Sequence, residues 1–384
     1  MDFEFNEEHK MLRRTVHAFV EEEIKPLARQ IDEEARIPEA LIKALAELGV
    51  FGVTFPEEYG GSDFGEIGYC IVVEELTRGS SSVAVMVGAH ESLACTGIYL
   101  DGSEELKQRY LKPMARGEKI GAFALTEPEA GSDAGALRTT AEETDGSYLL
   151  NGTKIYITNG DIADVIVVFA VTDKTLGARG GITAFVVESE MDGFAVEQVE
   201  EKMGIRGARS AQLSFTDVEV PAENVIGEVG AGFKTAMQVL DRGRLGLAAG
   251  CVGAAKELIN LSLAFAQERE QFDRPIAQHQ AIQFMLAEMT AQTYAMESFT
   301  YRTAWLHDSG RPFTRESAIT KLVASEMLDD IVDKAVQIHG GMGYMTEYPI
   351  ERFYRDARIN RIFEGTSEIQ KLVIFRRLAD QGSY

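Results

Sequence analysis

A chain of 384 residues, 45% hydrophobic and 26% charged, is too long for one ordinary core and is globular in composition throughout, which excludes a small binding module and a disordered chain. Its 38 Lys and Arg stand against 61 Asp and Glu, a formal charge of -23. Such a surface repels phosphate backbones and anionic membranes, which disfavours nucleic-acid binding; a polyanionic cofactor would need local Arg residues or backbone N–H groups to hold it.

From Asn6 to about Arg116 the pattern is helical. Leu41, Ala44, Leu45 and Leu48 lay one apolar face along a helix that Gly49 ends. The loop Pro56–Ser62 breaks the series, and the small-residue stretch Ser80–Gly97 reads as buried. Between about Ile120 and Val229 the period becomes strand-like in Tyr148–Leu150, Val165–Val171, Ile182–Val187 and Ala211–Phe215. After Gly227–Gly232, long helices return over Phe233–Arg269, Ile276–His307, Thr314–His339 and Ser367–Leu378. The expected divisions are residues 1–119, 120–230 and 231–384. This α, then β, then α order argues against a doubly wound sheet, and no G-x-G-x-x-G or P-loop is present.

Cys70, Cys95 and Cys251 lie far apart and read as reduced core residues. The six histidines form no close ligand pair, so a metal site has little support. Met1–Phe5 carries neither a basic leader nor an apolar stretch, and no uninterrupted apolar run reaches membrane-spanning length. A cytoplasmic protein without stable membrane insertion is expected.

Five segments could carry chemistry. Leu125–Asp133 is a proline-stiffened turn that serves either as a capped β-turn or as a holder for a heteroaromatic ring edge. Asn151–Gly160 sets Tyr156 and Thr158 two residues apart on one face of a strand, where they could stack on and donate to a ring; an ordinary hairpin has the same look. Gln267–Ile276 puts Arg269 near Phe272, a diphosphate and adenine grip or a surface ion pair. Gln337–Tyr344 is a glycine turn or a helix C-cap. In Arg361–Gln370, Ser367 and Gln370 fit a capping box that would start a helix at about Glu368, leaving Glu364 in the preceding loop beside Phe363. Desolvation there should raise its pKa against the pull of the helix N-terminus. The basic run Arg352, Arg355, Arg358 and Arg361 reads as ion pairs in an acidic chain.

In this order, and spanning almost the whole chain, these motifs resemble the acyl-CoA dehydrogenase family. The resemblance implies an α+β fold: an N-terminal helical domain, a middle antiparallel β domain and a C-terminal four-helix bundle. It also implies FAD, an acyl-CoA substrate, electron-transferring flavoprotein as partner, and a homotetramer built as a dimer of dimers. By the same similarity Leu125, Thr126, Ser132, Tyr156 and Thr158 contact the flavin. Arg269, Gln271, Phe272, Gln337, Gly340 and Gly341 would reach a neighbour's cofactor, and Thr366 and Glu368 the far end of the flavin site. Ser132, Asp241, Arg244, Phe363 and Gly365 would touch substrate.

Glu364 is implied as the base that takes the α-proton, with the β-hydrogen leaving as hydride to give a trans-2-enoyl-CoA. Branches that carry the base on a bundle helix place it at the position of Gly243, which cannot serve. Val87–Ser92, Lys202–Arg206 and Gly243–Gly246 look nearer the very-long-chain branch, although the extra C-terminal domain usual there is not expected in a chain ending at Tyr384. An enoyl-CoA reductase of the same fold and a non-catalytic acyl-CoA-binding relative are the alternatives.

Overall fold

A computed structural model describes residues 4–382. Met1–Phe3, part of the expected leader-free start, and Tyr384, the expected end, lie outside the described residues.

The first third is helical: α1 (Glu7–Phe19), α2 (Glu39–Leu48), α3 (Gly65–Gly79) and α4 (Ser81–Gly88). α1 starts on the side chain of Asn6, which accepts from His9 N, and α2 ends on Gly49 at φ +82°, a left-handed cap that glycine adopts without strain. Helix continues past α4 through a wider-turned stretch, Ala89–Cys95, and then Thr96–Asp101. As expected, Ser80–Gly97 is mostly buried.

The middle third is one eight-stranded sheet: β1 (Gly121–Ala124), β2 (Thr140–Glu143), β3 (Ser147–Thr158), β4 (Val165–Val171), β5 (Ile182–Glu188), β6 (Phe194–Val199), β7 (Ser210–Pro221) and β8 (Val225–Ile226), in the order β6-β7-β3-β2-β4-β5-β8, with β1 on β4. Pairing is antiparallel except that β1 runs parallel to β4 and Thr140 of β2 meets Val171 in parallel. β4 explains how the sheet seats against helices. Val165, Val167 and Phe169 join a core containing Ala94 and Ile98, while Ile166, Val168 and Ala170 join a second core with Leu150 and Leu213. A strand buried on both faces must read as a continuous apolar run, and VIVVFAV does.

The last third holds α5 (Gly232–Glu268), α6 (Gln280–Asp308), α7 (Thr314–His339), α8 (Ile350–Ala357) and α9 (Ser367–Gln381). Among the described residues, the helical runs Ser81–Asp101 and Gly232–Glu268 are long and apolar enough to cross a membrane, but their apolar windows are 72% and 56% buried inside the protein. All three cysteines are buried and unpaired. Arg355 pairs with Asp32 and Glu351, and Arg361 with Glu326 and Asp329, so these two members of the basic run are ion-paired.

Candidate active site

The loop before α9 is built around an unusual backbone. Glu364 sits at φ +55° and Gly365 at φ +93°, and Thr366, at φ -57° and ψ 162°, caps α9 with its hydroxyl accepting from Ile369 N at 3.3 Å. The helix therefore begins at Ser367 with Thr366 as its cap, one residue earlier than the expected Ser367–Gln370 box. Thr366 takes precedence because its side chain reaches the free N–H three residues on, and Ser367 instead donates to Glu326 at 2.8 Å.

Three side chains that sequence reasoning did not single out for this task hold the loop. Lys321 Nζ donates to Gly365 O at 2.8 Å, and Gln370 Nε2 donates to Glu364 O and Gly365 O at 3.1 and 2.9 Å. Arg244 Nε donates to Glu364 O at 3.2 Å and is itself gripped by Asp241 at 2.6 Å. Asp241 in turn accepts from Thr314 at 2.6 Å. Asp241 was expected at the substrate, but it does not line the cavity and works through Arg244.

The Glu364 carboxyl points toward α5. Its Oε2 is buried and has no hydrogen-bond partner among the described residues. A Cβ built on Gly243 would stand 2.6 Å from that oxygen and 2.8 Å from Leu93 Cδ2, so the carboxyl occupies the space that any side chain at 243 would need. Burial pushes its pKa up to about 7, with Lys321 and Arg244 pulling the other way. The direction is the one expected from its apolar company, but the restraining charges are these two cations. Among the described residues, the Glu364 N–H donates to no group.

Glu364, Phe363, Gly365 and Arg244 line a cavity of about 580 Å³ that also takes in Leu125, Thr126, Ser132, Tyr156 and Thr158. The sheet delivers this second set through a buried ion pair. Lys154 donates to Glu127 at 2.7 Å and to Leu125 O at 3.1 Å, while the Glu127 carboxylate also accepts from Arg138 N and Thr139 N at 2.6 and 3.1 Å. Burial opposes ionisation of Glu127, but Lys154 and these N–H groups outweigh it and hold the carboxyl below its usual range. The pair locks the β1 turn to β3. Past Lys154 the register of β3 shifts, and Tyr156 adopts φ +59° with its side chain exposed; a bulge, and not plain alternation, brings Tyr156 and Thr158 to the same cavity.

Arg269, Gln271, Phe272, Gly340 and Gly341 line a separate depression of about 680 Å³. Phe272 and Asp273, at φ +55° and +61°, form the turn of a small hairpin between β9 (Glu270–Gln271) and β10 (Arg274–Pro275), which leaves Phe272 90% exposed. Gln337, Thr366 and Glu368 line neither space. Among the described residues, no group of three or more His, Cys, Asp or Glu side chains is arranged to hold a metal ion.

Comparison with known proteins places this geometry. The chain matches the acyl-CoA dehydrogenase N-terminal domain over residues 6–118, the middle domain over 122–218 and the C-terminal domain over 230–379. It belongs to the acyl-CoA dehydrogenase family. The short-chain specific acyl-CoA dehydrogenase of Clostridium acetobutylicum is 44% identical over 374 residues, covering 97% of this chain and 98% of that protein. Acryloyl-CoA reductase (NADH) of Anaerotignum propionicum is 44% identical over 98% of this chain and 96% of its own.

Among solved structures, butyryl-CoA dehydrogenase from Megasphaera elsdenii superposes with a TM-score of 0.97 at 41% identity, covering 99% of this chain and 100% of that one. A chain described under the electron transferring flavoprotein of Acidaminococcus fermentans gives 0.97 at 42% identity, over 98% and 99%. This acyl-CoA dehydrogenase is thus an oxidoreductase of the expected fold, which leaves the non-catalytic alternative without support. The expected leaning toward the very-long-chain branch also finds no support in these relatives, several of which are named short-chain specific.

Proposed function

We propose that this enzyme oxidises an acyl-CoA thioester between its α and β carbons, with Glu364 taking the α-proton and FAD bound in the same cavity. The observation that carries the reading is Glu364 Oε2, a buried carboxylate oxygen with no partner, aimed into a cavity and held there by a loop with fixed carbonyls. An α-C–H beside a thioester is a weak acid, so its removal needs a base whose pKa lies near the working pH; about 7 suits that task. The free N–H of Glu364 offers a donor where charge develops on the thioester oxygen. Phe363 and Leu93 keep water from the base, and Arg244, fixed by Asp241, keeps the loop in register.

The residues fit FAD. The hydroxyls of Thr126, Ser132 and Thr158 make no hydrogen bond among the described residues, and they surround a cavity into which the exposed Tyr156 ring also opens. These side chains, with Leu125, would hold the ring system. Arg269, Gln271, Phe272, Gln337, Gly340 and Gly341 would hold the adenosine and diphosphate of an adjacent protomer's cofactor, which the projecting Phe272 supports, with Thr366 and Glu368 at the far end. When bound, FAD supplies the acceptor for the β-hydrogen as hydride.

Electron-transferring flavoprotein as acceptor is supported by the description of the Acidaminococcus structure. A homotetramer is supported by the exposed apolar side chains Leu263, Phe284 and Tyr294 on the bundle. Location in the cytoplasm belongs to the same proposal.

Glu364→Gln tests the base. Anaerobic bleaching of the flavin by acyl-CoA should be lost while acyl-CoA affinity is largely kept, and normal bleaching would sink the assignment. The names of two relatives, acryloyl-CoA reductase and 3-(aryl)acrylate reductase, favour one second reading, reduction of an enoyl-CoA with Glu364 returning the proton. Turnover of enoyl-CoA with a reduced donor, faster than oxidation of the saturated ester, would select it.

A further inference from the structure

We propose that Asp356 is a positioning residue for the reaction: it fastens the loop between β6 and β7 to α8, and that loop sets the separation between the flavin side of the cavity and Glu364. The inference rests on the proposed roles of Glu364 and of the β3 residues and deepens them.

The two sides of the site come from different thirds of the chain. Tyr156 and Thr158 stand at the end of β3, whereas Glu364 follows α8 through a tight helical turn, Arg358–Arg361. Residues 200–209 bridge them. One end of this loop is tied to β3: Thr158 pairs with Ser210, Asn159 N donates to Arg209 O at 3.0 Å, and Glu200 N donates to Ser210 O at 2.8 Å. Lys202 Nζ donates to Ala208 O and to Ser210 Oγ, which braces the loop across its base.

The other end is tied to α8. Ile205 N donates to Asp356 Oδ1 at 2.5 Å, and Arg355 Nη1 donates to Met203 O at 3.1 Å while the same guanidinium holds Asp32 at 2.6 Å. Between these bonds Gly204 lies backbone to backbone on the helix, where a Cβ would stand 2.5 Å from Arg355 O and 2.7 Å from Asp356 N. Asp356 is only 5% exposed, so water does not replace it as the acceptor.

Ile205 shows what the bond achieves. It sits at φ +50°, a conformation that a β-branched residue keeps only where its surroundings impose it. Held so, Ile205 lines the cavity and belongs to the apolar core against which Phe363, the neighbour of the base, is packed. Phe353 and Ala357, on the same helix as Asp356, line that cavity too. Releasing the loop would therefore change the distance from base to flavin more than it changes either binding surface. The rate should fall and the affinity hold, because a misplacement of about 1 Å costs on the order of 10²-fold in rate.

The test measures single-turnover flavin reduction by the best of C4, C8 and C12 acyl-CoA in Asp356→Ala, Asp356→Asn and Gly204→Ala holoenzyme. Calorimetric affinities for the same ester are taken with each change in a Glu364→Gln background, where turnover does not intrude. Asp356→Ala should slow reduction tenfold or more and leave affinity within about threefold. Asp356→Asn keeps an acceptor for Ile205 N and should return the rate to within about threefold of wild type. Should Asp356→Ala fail to fold, Gly204→Ala wedges the loop off α8 without altering an ionisable group and carries the same expectation. Amide exchange reads the coupling without turnover: both released variants should exchange faster at Asn159 and at Phe363, on the two sides of the site. A rate within twofold of wild type in a folded, flavin-loaded Asp356→Ala or Gly204→Ala, a slowing matched by an equal loss of affinity, an Asp356→Asn as slow as Asp356→Ala, or faster exchange confined to Ile205 overturns the proposal. Wild-type flavin that no acyl-CoA bleaches would instead overturn the dehydrogenation itself, and the exchange data would still decide whether Asp356 ties the two sides together.

Discussion

Gly243→Ala isolates the role of one methyl group. The new Cβ would stand 2.6 Å from Glu364 Oε2, about 0.8 Å inside ordinary contact, with Leu93 Cδ2 at 2.8 Å on its other side. Leu93 closes the alternative exit, so the flexible carboxyl is the group that moves. A base displaced by close to 1 Å typically loses on the order of 10²-fold in rate, about 2.7 kcal/mol of barrier. Stability should change far less. Overpacking costs roughly 1–3 kcal/mol, while alanine in a helix interior recovers about 1 kcal/mol over glycine. Stopped-flow flavin reduction and urea unfolding of the same preparation separate the two effects. Reduction within twofold of wild type in a folded, flavin-loaded variant would refute the placement of the carboxyl against Gly243.

Proton removal requires ionised Glu364, so flavin reduction should rise with pH through about 7 and level off above it. Lys321→Met removes a positive charge that lowers that pKa, and the rising limb of the pH profile should move to higher pH. Glu127→Ala leaves Lys154 buried without a counter-charge and two backbone N–H groups without an acceptor. It should cost about 3–5 kcal/mol by urea unfolding, with part recovered in Glu127→Ala/Lys154→Met. Thr366→Ala removes the cap of α9 and should cost about 1 kcal/mol, with faster amide exchange at Ile369 as the local readout.

The layout of helices, sheet and bundle was legible because each third of the chain keeps its own period. The continuous run in β4 and the glycine that ends α2 are local signals with local causes. Glu364 was legible for a similar reason: an acid beside Phe363, ahead of a capped helix, has few solvated options. Two of the residues that hold it, Lys321 and Arg244, were not, because they act across 44 and 120 positions of sequence; Gln370 lies close by in the chain but reads there only as part of a capping box. Lys321 is the instructive case. It falls on the same buried face of α7 as Ser317, Ala324 and Leu328, and a lysine on such a stripe implies a distant acceptor, but periodicity cannot say that the acceptor is Gly365 O. In the sequence Gly243 reads as a missing rival base and as part of a branch-like segment; its packing against the carboxyl is visible only in three dimensions. The Glu127–Lys154 pair went unread because both residues lie inside segments whose turn chemistry already explained them.

The backbone at Glu364 carries a consequence for how such an enzyme ages. A left-handed conformation costs a residue with a side chain roughly 1–2 kcal/mol that glycine does not bear, and a buried ionisable group adds its own desolvation. Glu364→Gly relieves both. The dead protein should therefore outlast the live one in denaturant, and a selection that rewards only soluble, well-folded chains would drift toward erasing the one carboxylate on which turnover depends.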